Sequence, residues 1–149
     1  FNEGVDIPDI NQVIMLRPTE SPIIFVQQLG RGLRKANNKE YVVVEDVIEA
    51  TKRFTMMTWT MVTPASAKIV ADNVMLLEKD GKKLYIKVEG PKKVRWHISP
   101  AQSEFSYDSP NPGILIIGFD TDLELSAKQS IRVFLLPGEN KNVTYKSVL

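Results

Sequence analysis

The sequence predicts a mainly β protein, an antiparallel β-sandwich that follows a short N-terminal strand and helix. Three observations support this prediction. Apolar and polar residues alternate through most of the chain after about residue 40, an Asp-Gly pair separates two alternating runs, and a capped helical pattern lies before residue 40. Alternation favours half-buried strands, and an Asp-Gly pair between two of them is typical of a tight hairpin.

The first 39 residues contain one strand and one helix by pattern. Ile10–Leu16 is a continuous apolar run, which is typical of a strand buried on both faces. Ser21 is a favourable N-cap and Pro22 suits the first helical position, so we expect a helix over Ser21–Lys35. The apolar face of this helix consists of Ile24, Phe25 and Leu29. This face needs a surface to cover it, either the sandwich or a second copy of the chain.

About nine short strands are predicted after residue 40, with no helix among them, which favours a sandwich or barrel. In the run "FTMMTWTMVT", one face carries Phe54, Met56, Thr58, Thr60 and Val62. The Asp80-Gly81 pair predicts a hairpin. In its second strand, Leu84, Ile86 and Val88 share one face and Lys83, Tyr85 and Lys87 share the other.

Composition excludes several classes of site. The 149 residues include no cysteine, which excludes disulfides, thiolate metal sites and a cysteine nucleophile. A single histidine, His97, is too little for a His-rich metal site, so no metal is expected. The net charge of +1 does not favour general attraction of nucleic acid. The apolar-rich run Phe54–Ala67 is too short to span a bilayer and no secretion leader is visible, so we expect no membrane partner, and the compartment stays open.

Two short motifs carry a resemblance to a known family. "GVDIP", Gly4–Pro8, resembles motif five of superfamily-two helicases and restriction-type translocases, and "QQLGRGLR", Gln27–Arg34, matches their motif-six pattern Q-x-x-G-R-x-x-R. The order and spacing of the two motifs also agree with that family. Residues 1–39 therefore resemble a fragment of the second motor lobe of an ATP-dependent DNA or RNA helicase.

The helicase resemblance implies roles for six residues. Arg31 and Arg34 would contact the ATP phosphates, with Arg34 as the arginine finger, Gln27 would orient the attack, and Asp6 would couple nucleotide to nucleic acid. The resemblance thereby implies an ATP-binding set at the two motifs, with Gln27 beside it and no metal ligand: Gly4, Asp6, Gly30, Arg31 and Arg34.

An arginine finger completes a site that other residues build. No G-x-x-x-x-G-K-[ST] phosphate loop and no D-E-x-x box occur in this sequence. We therefore expect that no residue of this chain is catalytic by itself and that the chain binds no cofactor. Under the helicase interpretation, the alternative cofactor is ATP with Mg²⁺.

A second resemblance covers residues 40–149. The strand "VVVED" leading into "TWTMVTPA", the hairpin "DGKKLYIKV" and the strand entry "SPNPGILIIGF" resemble the C-terminal β-sandwich of heparinase II/III-like polysaccharide lyases. In that family the eliminating residues lie upstream of the sandwich, so the resemblance implies a non-catalytic accessory domain, with an acidic polysaccharide as the partner of the parent enzyme.

Several side chains in this part have both a functional and a structural interpretation. His97 and Tyr107 could form a base and acid pair, or be a strand histidine and a loop tyrosine. Trp59 and Trp96 could stack on sugar rings, but such residues usually belong to the core of a small sandwich. The lysines near the hairpin could meet an acidic polysaccharide, or keep a sheet edge soluble. These are Lys82, Lys83, Lys87, Lys92 and Lys93.

The two resemblances concern families that work on different substrates, and the pattern changes near Glu40. We therefore interpret the chain as a chimaera of a helicase fragment and a lyase-like accessory sandwich, with a junction that is natural or an artefact. The alternative function is a fragment of an ATP-dependent helicase, with nucleic acid as partner. An oligomer could form through the N-terminal helix.

Overall fold

The structure is a computed structural model, and it describes residues 41–51, 55–102 and 111–138. The chain divides into two units, Phe1–Val42 and Val43–Leu149. Within the described ranges the chain forms β-strands and no helix. The strands are β1 (Val42–Glu49), β2 (Thr55–Thr63), β3 (Ser66–Ala71), β4 (Val74–Lys79), β5 (Lys82–Glu89), β6 (Arg95–Pro100), β7 (Leu115–Leu123) and β8 (Lys128–Pro137).

The strands form two sheets. The first has five strands in the order β1-β8-β5-β4-β3, and the second has three in the order β2-β7-β6. The pairs from β3 to β4, β4 to β5, β5 to β8, β2 to β7 and β6 to β7 are all antiparallel. The prediction of a mainly antiparallel β fold is therefore confirmed for the described residues.

The predicted hairpin at Asp80-Gly81 joins β4 to β5. Both turn residues have positive φ angles, 50° and 72°, as a type I′ turn requires. The turn places Lys79 directly opposite Lys82, and the register continues through Leu77 opposite Leu84. The hairpin is thus a regular two-residue turn, and the side chains beside it have a fixed order.

One hydrophobic cluster contains residues from both sheets. The five-stranded sheet contributes Met75, Leu77, Ile86, Val88, Ile131 and Val133, among others. The three-stranded sheet contributes Ile117, Phe119 and Leu123. Phe119 is fully buried, and its ring lies 5.8 Å from Trp59 and 5.5 Å from Trp96 between centroids. Phe119 thereby joins all three strands of its sheet at the core.

The predicted faces of β2 are confirmed where its side chains are described. Met56, Thr58, Thr60 and Val62 are exposed, whereas the alternate residues pack against the core cluster. These alternate residues are Met57, Trp59 and Met61. The outward residues include two large apolar side chains, Met56 and Val62, which are 54% and 63% exposed.

Strand β5 agrees with its predicted faces but is buried on both of them. Ile86 and Val88 belong to the core cluster and Leu84 packs against it. Tyr85 projects to the opposite face, and it is also buried. Its register partner Leu136 is buried too, as is Phe134 on the same face. Its neighbour β8 contains the run "IRVFLLP", which is nearly continuous in apolar residues. Such a run is typical of a strand that is covered on both sides.

Several predicted elements lie outside the described residues. These are the N-terminal strand Ile10–Leu16, the helix Ser21–Lys35 and the last strand "NVTYKSVL". In the part of the chain that the structure describes, no helix has the length and apolarity needed to cross a bilayer.

Candidate functional site

The helicase-like site residues lie outside the described residues. This holds for Gly4, Asp6, Gln27, Gly30, Arg31 and Arg34, and also for Tyr107. Their roles stay predictions. The other candidate side chains lie in the β-sheets, where their contacts can be assigned.

Trp59 and Trp96 are core residues in large part. Both are half-buried and pack against the hydrophobic cluster. Trp59 stacks on Phe119 at an interplanar angle of 20°, and Trp96 meets the same ring edge-on at 71°. The indole N–H of Trp96 donates to the carbonyl oxygen of Asp72 at 2.9 Å. Phe119 therefore contacts both indoles, which agrees with the interpretation of the two tryptophans as core residues.

His97 lies on the opposite face of the same sheet. It is directly opposite Gly118 of β7, which in turn is opposite Thr60 of β2. A Cβ on Gly118 would come within 2.7 Å of the His97 Nε2 atom, so the imidazole lies over the glycine. The absent side chain of Gly118 provides the space that the imidazole occupies.

A polar network lies beside His97 on this outward face. Both terminal nitrogens of the Arg95 guanidinium donate to the carboxylate of Asp122, each at 2.7 Å. The Thr58 hydroxyl donates to Asp120 at 2.6 Å. The hydrogen bond from Arg95 lowers the pKa of Asp122, and the same bond raises the pKa of Arg95. Arg95 and Asp122 neutralise each other, and together with the Thr58–Asp120 hydrogen bond they tie the three strands of this sheet to one another.

Most of the predicted lysines face carboxylates. Lys87 pairs with Glu89 at 2.8 Å, Lys83 lies 3.9 Å from Glu78, and Lys92 pairs with Glu124. Ion pairs at the protein surface contribute little free energy, about 0–1 kcal/mol each. Three of the five predicted lysines thus lie beside carboxylates, and contact of the lysines with an acidic polysaccharide stays a prediction.

Lys82 differs from those lysines because its direct neighbour is another lysine. Lys79 and Lys82 face each other across the hairpin, and both project to the core-facing side of their sheet by the alternation of β4 and β5. They stand at the rim of a cavity of about 330 Å³. The cavity floor is apolar, with Met61, Leu77 and Leu84 among its lining residues.

The sequence contained a signal for this cavity rim. An Asp-Gly hairpin with a two-residue turn makes the flanking residues a direct cross-strand pair, and those residues are both lysine. Among the described residues, no group of three or more His, Asp or Glu side chains could hold a metal ion. The candidate site in the β-sheets is therefore an apolar cavity with a rim of three lysines, Lys79, Lys82 and Lys83, and one carboxylate, Asp80.

Comparison with known proteins gives short matches. No family model matches the chain. IRC3 of Saccharomyces cerevisiae, named as a candidate ATP-dependent helicase, is 39% identical over 51 residues, which are 34% of this chain and 7% of that protein. MJ1505 of Methanocaldococcus jannaschii, named as a candidate ATP-dependent RNA helicase, is 43% identical over 42 residues, 28% of this chain and 5% of that protein.

A 51.5 kDa protein of a Lactococcus phage is 36% identical over 48 residues, which are 32% of this chain and 11% of that protein. The matches thus cover about a third of this chain and a small part of each relative. They support a helicase-related region in the chain. None of these three proteins is named as a polysaccharide lyase.

Proposed function

We propose that the chain carries the part of a helicase motor lobe that supplies motifs five and six, and that it acts as a fragment of an ATP-dependent superfamily-two helicase. Two of the matched relatives are named as helicases. The matches of 42 to 51 residues are long enough to contain both motifs, which lie within the 31 residues from Gly4 to Arg34. The helicase relatives are the single observation that carries this proposal.

The match to IRC3 is longer than the 39 residues first assigned to the helicase-like region, and its length extends that region toward the C-terminus. A match over 51 residues of this chain cannot end before residue 51. If it contains motif six, it therefore contains all of β1, Val42–Glu49. We infer that β1 is the strand that follows motif six, and it is also an edge strand of the five-stranded sheet. The junction would then lie after β1 instead of near Glu40.

In the proposed function the two motif-six arginines act on phosphate. Arg34 would supply positive charge to the transferring phosphoryl group, and Arg31 would hold the phosphates in place. A planar guanidinium suits this role because it binds two phosphate oxygens at once. Asp6 would couple the nucleotide to a nucleic-acid partner. A phosphate loop and a magnesium site have to come from another segment or another chain, because this sequence contains neither motif.

A binding experiment on the full chain tests the proposal. We expect millimolar Mg–ATP to shift the backbone amide signals of Gly30 and Gly32 in an NMR titration, since affinity without a phosphate cradle should be weak. The double variant Arg31→Ala/Arg34→Ala should lose these shifts. Arg17→Ala, which removes an arginine outside motif six, should keep them. Equal shifts in all three proteins would contradict the proposed roles.

For the rest of the chain we infer a two-layer sandwich in a non-catalytic role. The shared hydrophobic cluster supports the layering, because side chains of both sheets meet in it. The lyase origin predicted for residues 40–149 rests on strand and turn patterns alone, and no comparison supports it. The helicase alternative is therefore preferred to the lyase interpretation.

A further inference from the structure

We propose that the cavity beside the β4–β5 hairpin binds a small organic anion with an apolar body, such as a medium-chain carboxylate, and that Lys79 and Lys82 hold its charged head. This site is independent of the helicase-like motifs. Its rim and its floor consist of described residues, and three features of that arrangement point to this class of ligand.

The first feature is the pair of like charges at the rim. Lys79 and Lys82 are direct cross-strand partners on one face, and like charges in that position repel. Lys83, Lys87 and Lys92 each have a carboxylate within ion-pair distance. In the described part of the chain, no such ion pair involves Lys79 or Lys82. Asp80 and Lys83 also line the cavity, so three lysines and one carboxylate surround the position of the charged head. An anion between the ammonium groups of Lys79 and Lys82 would offset their repulsion.

The second feature is the apolar floor below these ammonium groups. Met61 of β2 lines the cavity from one sheet, and Leu77 and Leu84 line it from the other. Leu77 is buried and Leu84 packs against the core cluster. The aliphatic stems of the two lysines extend this apolar wall toward the solvent, as lysine stems commonly do. A ligand with an apolar body therefore finds partners below its charged head.

The third feature is the size of the site and the fixed register of its hairpin. A volume of about 330 Å³ lies at the lower end of the range for small-molecule pockets. The hairpin that carries both lysines has a regular type I′ turn, with Asp80 and Gly81 both at positive φ. The register of this turn sets the backbone positions of the two lysines before the ligand arrives, so only their side chains have to be ordered on binding. A small amphiphile fits this space better than a polysaccharide.

The charge of the head group can be tested with two probes of equal length. We expect octanoate to bind to the full chain in a calorimetric titration, and to shift the amide signals of Lys79, Lys82 and Met61 by NMR. Octylammonium, which has the same apolar body and the opposite charge, should bind about tenfold more weakly or not at all. Octanoate binding should weaken as salt rises, because both lysines are exposed.

The variant Lys82→Glu separates binding from folding. It replaces the like-charge pair with an opposite-charge pair across the hairpin, so its Tm should equal or exceed that of the unchanged protein. Its octanoate affinity should fall at least about tenfold. Lys68→Gln is the matched control, since Lys68 is an exposed lysine on β3 that does not line the cavity. This control should bind octanoate normally.

Three results would overturn the proposal. One is octylammonium binding as tightly as octanoate, which would remove the role of the lysines. Another is unchanged octanoate binding by Lys82→Glu. The third is inorganic phosphate binding as tightly as octanoate, which would remove the role of the apolar floor. None of these results bears on nucleotide binding by Arg31 and Arg34, so the two proposals can fail separately.

Discussion

Arg95 of β6 and Asp122 of β7 form a two-bond ion pair across neighbouring strands, with both N–O distances at 2.7 Å. The pair is diagonal, because the residue directly opposite Arg95 is Asp120. Asp120 in turn accepts a hydrogen bond from Thr58 of β2. Polar side chains therefore link all three strands of the smaller sheet on its solvent side, opposite the contacts of Phe119.

The ion pair predicts a pH dependence of stability. The hydrogen bond from Arg95 lowers the pKa of Asp122 in the folded protein, so the pair stabilises the fold above about pH 4 and loses this effect as pH falls through the lowered pKa. We expect Asp122→Asn to reduce stability slightly at pH 7, and we expect the difference to disappear in strong acid. Urea unfolding at several pH values measures this.

The control for this prediction is Glu78→Gln, since the ion pair of Glu78 with Lys83 is longer, at 3.9 Å. It should change stability less than Asp122→Asn does at pH 7. A stability loss in Asp122→Asn that persists unchanged at the lowest pH would show that the carboxylate charge is not the cause.

Asp46 predicts the opposite pH dependence. Its neighbours on the same face of β1, Val44 and Ile48, pack against the core cluster, and burial raises the pKa of the Asp46 carboxyl. Stability associated with the protonated acid is present below about pH 4 and is lost as pH rises through the raised pKa. Asp46→Asn should therefore gain stability relative to the unchanged protein between acid and neutral pH, as followed by thermal unfolding.

Glu49→Gln is the control for the Asp46 variant, because Glu49 is an exposed acid at the end of the same strand. Its stability relative to the unchanged protein should stay nearly constant over that pH range. A gain in Asp46→Asn that is equal at pH 4 and pH 7 would argue against a buried charge.

Gly118 should not tolerate even a methyl group. A Cβ there would overlap the carbonyl oxygen of Trp59 and lie 2.7 Å from His97 Nε2. The imidazole can move, but the carbonyl belongs to the adjacent strand. We expect Gly118→Ala to destabilise the protein by about 1–3 kcal/mol, measured by urea unfolding. Removing the imidazole with His97→Ala should not restore stability, and full rescue by it would show that the carbonyl contact is unimportant.

Phe119 should be the most sensitive position in the smaller sheet. It is fully buried and contacts both tryptophans of the protein. Phe119→Ala should cost about 3–5 kcal/mol and change the tryptophan emission of any molecules that remain folded. Ile98→Ala on β6, where the side chain is 39% exposed, should change stability much less. Similar costs for both variants would contradict the assigned core.

Local features of the β-sheets were predictable from the sequence. The Asp80-Gly81 turn was predictable because two consecutive positive φ angles restrict the residues that fit. The faces of β2 and β5 were predictable because side chains alternate along a strand. The basic rim at Lys79 and Lys82 follows from that same turn, although its function as a site depends on the cavity below it.

Long-range pairing was not predictable in the same way. Nothing in the sequence of β8 indicates that it lies between β1 and β5, since this choice depends on packing that many strands could satisfy. Burial of Tyr85 on the second face of β5 has the same origin. The lyase resemblance rests on strand and turn patterns that many β proteins share. Such patterns do not identify one family, which explains why this resemblance is not specific. The motif-six pattern depends on particular residues, and two of the matched relatives are named as helicases.

The position of the two last described strands has a consequence for biosynthesis. β7 is the middle strand of the smaller sheet, and β8 lies between β1 and β5 in the larger one. During synthesis on the ribosome, β3, β4 and β5 emerge one after another and can pair. By contrast, β1, β2 and β6 emerge before the strands with which they pair. The smaller sheet cannot form before β7 has left the exit tunnel, and the larger sheet cannot be completed before residues near Pro137 have left it. The nascent chain therefore carries open sheet edges until late in translation, and its folding should be slow.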